Sequence, residues 1–294
     1  MGHYSIKDLE KLTGIKAHTI RIWEKRYGII NPERTDTNIR TYSDEELKRL
    51  LNVSILNNHG LKISKIAKLK PEDLNLELTR IAESDSKYET QIDSLVVAMV
   101  DLDRRKFEKI LGDCTLKMGF EDTCIRVLYP FLQKVGLMWQ TDSINPAQEH
   151  FISNLIRQKL FVAIDELYDS DLDGKPKVVM ALPEGELHEL GLLFYRYLME
   201  RRGYNTIYLG QSVPFDDLVQ TVKAHRAEFV VTAFVASVAT EKISRYVRSL
   251  SERLPDAHII ATGGQVGMID EPAPERVSYC PSVPLFISVV EELR

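Results

Sequence analysis

Apolar positions recur at helical spacing through the first seventy residues, and glycines interrupt them. Ile6, Leu9 and Leu12 follow Ser5, a good helix-capping residue, and Gly14 stops the run. The pattern resumes from about Lys16 to Arg26, with Ile20 and Trp23 three apart, until Gly28. Ile29–Arg34 and Ile39–Tyr42 read as two extended arms around the polar tip Thr35–Asn38. Ser43, Glu45 and Glu46 open a further helix with the character of a capping box. Together these elements predict two short helices joined by a tight turn, then a hairpin wing.

Residues 75–168 carry only helical patterns. Leu95, Val96 and Met99 mark one stretch, and Phe107, Ile110 and Leu111 a second. A third runs from Phe120 to Trp139 with an interruption at Pro130. Asn145-Pro146 starts a fourth, Asn as cap and Pro at the first helical position, reaching Leu167. This predicts a four-helix bundle. Asp169–Pro176 reads as a polar linker, and Lys70-Pro71 as the earlier boundary.

From Lys175 the texture changes. Short β-branched runs at Val178–Ala181, Thr206–Leu209, Phe229–Phe234 and His258–Ala261 alternate with amphipathic helical stretches. Alternating β and α implies a doubly wound, Rossmann-like parallel sheet with ligands at the carboxyl ends of its strands. The expected fold class is α plus α/β. Its domains are a winged helix-turn-helix at 1–70, a helical bundle at 75–168 and an α/β domain at 175–294.

Charge sharpens this division. The 294 residues carry a net charge of −5, yet residues 1–70 hold 14 Lys/Arg against 8 Asp/Glu. A basic end on an acidic body points to a nucleic-acid-binding head. An apolar share of 44% allows a sizeable core, and no uncharged apolar run reaches the roughly 18 residues of a membrane span. Three cysteines without a CxxC, and no apolar leader, fit a cytoplasmic protein without a cysteine-ligated metal.

The second helix has the width of the major groove and carries Lys16, His18, Thr19, Arg21, Lys25 and Arg26. Arg34 and Arg40 flank the wing tip within reach of phosphates, and Tyr42 adds a hydroxyl. His18-Thr-Ile-Arg-Ile-Trp-Glu-Lys-Arg-Tyr-Gly, Pro32-x-Arg34 and Arg40-x-Tyr42 together resemble the winged helix-turn-helix of the MerR family over residues 3–70. The resemblance implies contact with double-stranded DNA through Arg21, Arg34, Arg40 and Tyr42. The long dimerising coiled coil of typical members is missing after Leu69, so another part must hold a dimer or tetramer.

Chemistry in the α/β domain centres on Glu186-Leu-His188-Glu-Leu-Gly191, just past the first strand. A loop histidine above a sheet can offer one ring nitrogen to a metal while a carboxylate takes the hydrogen bond of the other. Gly191 permits close approach, and Gly263-Gly264 after the fourth strand make room for a flat or elongated ligand. Forty residues separate Gly191 from Thr232-Ala-Phe234, and twenty-eight more lead to Gly263. The pattern is similar to the cobalamin-binding fold. Departures are Glu186 where many members have Asp, and Thr232 and Phe234 in the Ser-x-Leu segment. The resemblance implies His188 as the lower axial ligand of cobalt, with the Thr232 hydroxyl meeting the nucleotide tail.

Head, bundle and α/β domain together resemble the CarH/LitR family of light-responsive, cobalamin-dependent repressors. That resemblance implies adenosylcobalamin between bundle and α/β domain, with Trp139, Glu149 and His150 covering its upper face. It further implies a cofactor-favoured tetramer that releases DNA in light, and no enzymatic activity. Gln140 stands where the family often has a second histidine. A competing reading is a MerR-type regulator whose C-terminal domain lacks a cofactor and binds a protein. A corrinoid methyl-transfer subunit is disfavoured by the DNA-binding head and the lack of a zinc-thiolate or barrel module.

Overall fold

The structure, a computed structural model, describes residues 4–35, 38–84, 88–140, 144–168, 172, 174–236 and 239–293. The chain divides into two compact units, Met1–Leu155 and Ile156–Arg294.

In the first unit, α1 (Ile6–Thr13) and α2 (Ala17–Tyr27) form the helix-turn-helix. Ser5 and Asp8 make a reciprocal capping box, and Gly14 and Gly28 end the two helices in left-handed geometry that glycine adopts without strain. The wing is a minimal antiparallel hairpin, β1 (Glu33–Arg34) with β2 (Arg40–Thr41). Part of its expected tip, residues 36–37, lies outside the described residues. α3 (Asp44–Asn58) starts on a Ser43–Glu46 capping box, and the short α4 (Ile63–Ile66) follows. Leu9, Ile20, Trp23, Ile30, Leu47 and Leu50 close the head's core. α2 therefore buries one face on Ile20 and Trp23 and leaves Lys16, His18 and Arg21 outside.

Among the described residues the middle of the chain forms helices and no strand. α5 (Pro71–Ser84) opens on its proline, and α6 (Glu89–Val100) and α7 (Arg104–Met118) follow. The third stretch bends without breaking. α8 (Phe120–Thr123) passes through a π turn, Cys124–Leu128, into α9 (Tyr129–Gln140). The Tyr129 N–H reaches back to the Cys124 carbonyl, so the widened turn falls just before Pro130, whose missing N–H cannot continue the α ladder. Phe107 and Phe131 meet edge to face at 5.8 Å in the core. α10 (Pro146–Asp165) starts where Asn145-Pro146 predicts, with Asn145 and Gln148 capping one another through 3.0 and 3.1 Å hydrogen bonds.

The second unit is built on one parallel sheet with strand order β4-β3-β5-β6-β7. The strands are β3 (Lys177–Pro183), β4 (Asn205–Val213), β5 (Phe229–Ala233), β6 (His258–Thr262) and β7 (Val277–Cys280). The sequence pattern supplied four of them. Val277-Ser-Tyr-Cys is too short and too polar to announce a strand and is recruited by pairing with β6. α11 (Glu189–Arg201), α12 (Phe215–His225), α13 (Thr240–Arg253) and α14 (Val283–Glu292) complete the winding. The first strand lies inside the sheet, and the chain moves outward to β4 before returning to β5. The carboxyl ends of β3 and β5 thus flank a topological switch point, where open α/β sheets bind ligands.

Candidate functional site

Glu186 and His188 lie at that switch point. The loop after β3 turns at Gly185 (φ +83°), and the Glu186 N–H returns to the Pro183 carbonyl at 2.9 Å. Ties to the end of β4 fix the loop laterally. The Gly185 N–H donates to Ser212 Oγ at 3.0 Å, the Ser212 N–H to the Glu186 carbonyl at 3.2 Å, and Gln211 Nε2 to the Leu187 carbonyl at 2.7 Å.

The Glu186 carboxylate is 7% exposed and satisfied from both sides of the switch point. Its Oε1 receives His188 Nδ1 at 2.6 Å and the N–H groups of Leu187 and His188 at 3.0 and 3.1 Å. Its Oε2 receives the N–H groups of Val235 and Ala236, beyond β5, at 3.0 and 2.8 Å. Burial by itself would raise this carboxyl's pKa. The hydrogen bonds from the His188 ring and the backbone amides of Ala236, His188 and Val235 outweigh it and hold the value at about 2. An ionised carboxylate accepts only, so the His188 ring carries its proton on Nδ1 and any metal it binds is met by Nε2. The His188 side chain is 63% exposed at the start of α11.

A ring-shaped ligand over His188 needs space and apolar contact. A Cβ at Gly191 or Gly264 would meet nothing within 4 Å, so neither glycine is required by the protein's own packing. Gly263 differs. Its φ is +101°, and a Cβ there would lie 2.3 Å from the Phe234 carbonyl oxygen. The chain's own packing therefore requires glycine at 263, whatever room Gly263 and Gly264 leave for a ligand. Leu187, Val235 and Met268 expose apolar side chains in the loops at this end of the sheet. Thr232 is fully buried on β5, and its hydroxyl finds no hydrogen-bond partner among the described residues. Such an orphan is unfavourable unless something supplies the bond. These residues fit a large ligand with an apolar face, a metal beneath it and a polar extension.

The expected upper-face residues belong to the first unit. Trp139 is 49% exposed on α9, unusual for an indole in a helical bundle. Glu149 and His150 meet at 2.7 Å through Glu149 Oε2 and His150 Nδ1, and Ser153 Oγ donates to the other Glu149 oxygen. The Gln140 side chain lies outside the described residues.

In the head, Lys16, His18, Arg21 and Arg34 are exposed and Thr19 is half-buried. Lys16 pairs with Glu10 at 3.0 Å, and Arg34 donates to Asn38 Oδ1 at 2.6 Å. Arg40 Nε is shared between both oxygens of Glu24 at 3.2 Å, which ties the wing to the recognition helix. No pattern in the sequence marks that role for Glu24, because only the fold brings residues sixteen apart together. The amides of Val235 and Ala236 were equally hidden, since backbone groups leave no trace in residue identity.

Tyr42 departs from its expected place. It is 1% exposed and forms a two-way bridge with Tyr4, N–H to carbonyl at 2.9 Å each way. Its hydroxyl has no partner among the described residues, and burial raises its pKa to about 12. Alternation along the short second arm puts Tyr42 inward, so its ring packs in the head's core and does not lie on the surface where the sequence pattern expects it.

Comparison with known proteins agrees with both halves of this geometry. Residues 4–73 match the MerR HTH family of regulatory proteins, and residues 91–163 and 176–273 match two B12 binding domain families. The HTH-type transcriptional repressor CarH of Myxococcus xanthus is 31% identical over 281 residues, 94% of this chain and 93% of that protein. CarA of the same organism is 31% identical over 242 residues, 81% of this chain and 79% of that one. The monomethylamine corrinoid protein of Methanosarcina barkeri shares the fold at 15% identity, with a TM-score of 0.57, covering 70% of this chain and 100% of that one. Fold and site thus define a MerR-type regulator with a B12-binding body. Within that class, the chain belongs to the family of HTH-type regulators that includes CarH and CarA. Among the described residues no helix is long and apolar enough to cross a membrane.

Proposed function

We propose that this protein is a DNA-binding transcriptional repressor that reads the state of a bound cobalamin, adenosylcobalamin, and responds to light. The observation that carries the reading is the Glu186–His188 pair at the switch point, an imidazole whose Nδ1 is fixed at 2.6 Å by an ionised, buried carboxylate. A histidine so held presents Nε2 to cobalt with raised basicity. A side chain at Gly191 or Gly264 would meet open space, and the Thr232 hydroxyl, which has no partner among the described residues, would suit a polar extension of the ligand.

Adenosylcobalamin, when bound, supplies a cobalt–carbon bond that light breaks. The residues of this chain do the rest. His188 would hold the cobalt, with its tautomer and orientation fixed by Glu186. On the helical unit, the exposed Trp139 indole would offer a stacking face and the Glu149–His150 pair hydrogen bonds, and contacts that differ between two cofactor states are what a two-state switch requires. Arg21 reads base edges from α2, and Lys16, His18, Thr19, Arg34 and Arg40 position the head on the duplex. A dimer or tetramer presents paired heads to a partly palindromic operator. Oligomer contacts fall to the body, because the helix after the head, α5, is only 14 residues long.

The test mixes purified protein with adenosylcobalamin in darkness and records absorbance, size and operator binding before and after green light. A coloured, enlarged complex that binds operator and loses it on illumination is the expected result. Protein that stays colourless overturns the cobalamin reading and leaves a cofactor-free body suited to a protein partner. Coloured protein indifferent to light removes the photochemical part alone.

A further inference from the structure

The turn between α6 and α7 is tied to the DNA-binding head on one side and to α10 on the other. On the head side the tie is made through α3. Leu50, Leu51, Val53 and Leu56 point around the whole circumference of that helix, yet all are buried, because α3 packs on α1 within the head and on α6 beyond it. Lys48 of α3 keeps only 15% of its side chain exposed, and its ammonium group bridges the carboxylates of Glu45 and Asp101. An ammonium so far withdrawn from water needs such partners. Glu45 is a neighbour on the same helix, whereas Asp101 is the first residue after α6.

The turn itself is held firmly. Exposed Leu102 has a φ of +52°, a left-handed conformation unfavourable for leucine, and its neighbours fix it there. The Asp103 N–H donates to the Ala98 carbonyl at 2.8 Å, and Asp103 Oδ1 accepts the Lys106 N–H at 3.0 Å. On the other side, buried Gln148 donates from Nε2 to the carbonyl of Val100, the last residue of α6, at 3.3 Å. Gln148 directly precedes Glu149 and His150 on α10. One peptide bond thus joins that pair to Gln148, one hydrogen bond joins Gln148 to the end of α6, and one ion pair joins the next residue to the head. All of these residues belong to the first compact unit. We infer that Gln148 and the Asp101–Lys48 pair are positioning residues that couple the Glu149–His150 face to the orientation of the DNA-binding head. The inference rests on the proposed reading of that face as the one that senses the cofactor. A rigid turn pinned at both ends can pass a shift of α10 to α3, whereas an unpinned one would absorb it. Such a path is established only by measured coupling.

The test uses the full-length protein as wild type, Asp101→Asn, Lys48→Met, their double variant and Gln148→Met. Operator affinity is titrated in darkness with and without adenosylcobalamin, and the ratio of the two affinities measures the coupling. Taking the ratio cancels the direct loss of a head charge in Lys48→Met. Each variant is expected to bind adenosylcobalamin with the wild-type spectrum and to show a ratio reduced about tenfold, a size typical of coupling between sites. The double variant is expected to match the single ones, because the pair acts as a unit. Amide hydrogen exchange of the ligand-free proteins is the second readout. Gln148→Met is expected to speed exchange at the start of α3, a helix to which Gln148 makes no hydrogen bond among the described residues. A wild-type ratio in Asp101→Asn and Lys48→Met overturns the inference, even where the melting temperature falls, and so does unchanged α3 exchange in Gln148→Met. A wild type whose operator affinity ignores adenosylcobalamin overturns the sensing reading and the coupling with it, whereas variants that keep a cofactor-dependent wild-type ratio overturn the coupling alone.

Discussion

His188 Nδ1 lies 2.6 Å from Glu186 Oε1, and the other oxygen of that carboxylate is held by amides from beyond the neighbouring strand. The imidazole is therefore oriented by two loops of the sheet at once. Replacing His188 with Ala leaves Glu186 its four backbone donors and removes the ring hydrogen bond together with the ligand. The absorbance spectrum of cobalamin bound to His188→Ala is expected to lose the signature of imidazole coordination. A spectrum identical to wild type would reject His188 as the axial ligand.

Glu186 also links the site to stability. Its pKa in the folded protein, about 2, lies below the ordinary 4.5. Such a group stabilises the fold fully above its unfolded value, and that contribution is lost as pH falls from about 4.5 toward 2. The shift corresponds to about 3 kcal/mol as an order of magnitude. Glu186→Gln cannot titrate, and its amide group brings donors to a site already filled with donors. Urea denaturation at a series of pH values is expected to show the variant less stable at pH 7, with the gap to wild type closing below pH 4. A gap that does not change with pH would contradict this account of the carboxylate.

Much of this site was legible in the sequence because its parts are local. Glu186-x-His188 needs only a loop to bring the two side chains together, and Ser5, Gly14, Ser43 and Asn145-Pro146 act within a turn of where they stand. The winged head and the alternating α/β texture were legible for the same reason, since the period of burial is written into consecutive residues. What stayed hidden depends on distance in the chain. Val277–Cys280 becomes a strand only because β6 offers an edge, and Glu24 meets Arg40 only through the fold. The inward turn of Tyr42 depends on the phase of a two-residue strand, which no pattern fixes. Gly263 was legible as a required glycine, but the carbonyl of Phe234 that crowds it was not.

The glycines separate by substitution. At Gly191, inside the first turn of α11, an added methyl group meets nothing, and alanine favours helix by about 1 kcal/mol. Gly191→Ala is expected to leave the ligand-free protein as stable or slightly more so, and to weaken cobalamin binding. Gly263→Ala drives a methyl group into the Phe234 backbone at a positive φ, and is expected to cost about 3 kcal/mol or more before any ligand is considered. Thermal melts of the two ligand-free variants check the contrast. Equal melting temperatures would mean that the loop at Gly263 yields more easily than its geometry implies.

The head allows a sharper distinction, because two residues assigned to the same DNA surface differ in burial. Arg34 is exposed beside the wing tip, and Tyr42 is buried with a hydroxyl that has no partner among the described residues. A phosphate contact by Arg34 contributes binding that is largely independent of sequence, so Arg34→Ala is expected to weaken operator and non-operator DNA alike and to reduce the slope of log affinity against log salt by about 1. Arg21→Ala, on the exposed face of α2, is expected to cost about 1–3 kcal/mol on operator and much less on unrelated duplex if it reads a base. Tyr42→Phe removes a hydroxyl that has no partner among the described residues, and is expected to preserve both affinities and to hold or raise the melting temperature. Gel-shift titrations at two or more salt concentrations measure all three variants. A loss of affinity in Tyr42→Phe matching that in Arg34→Ala would show that the tyrosine leaves the core when the head meets DNA, and that the buried state belongs to the protein alone.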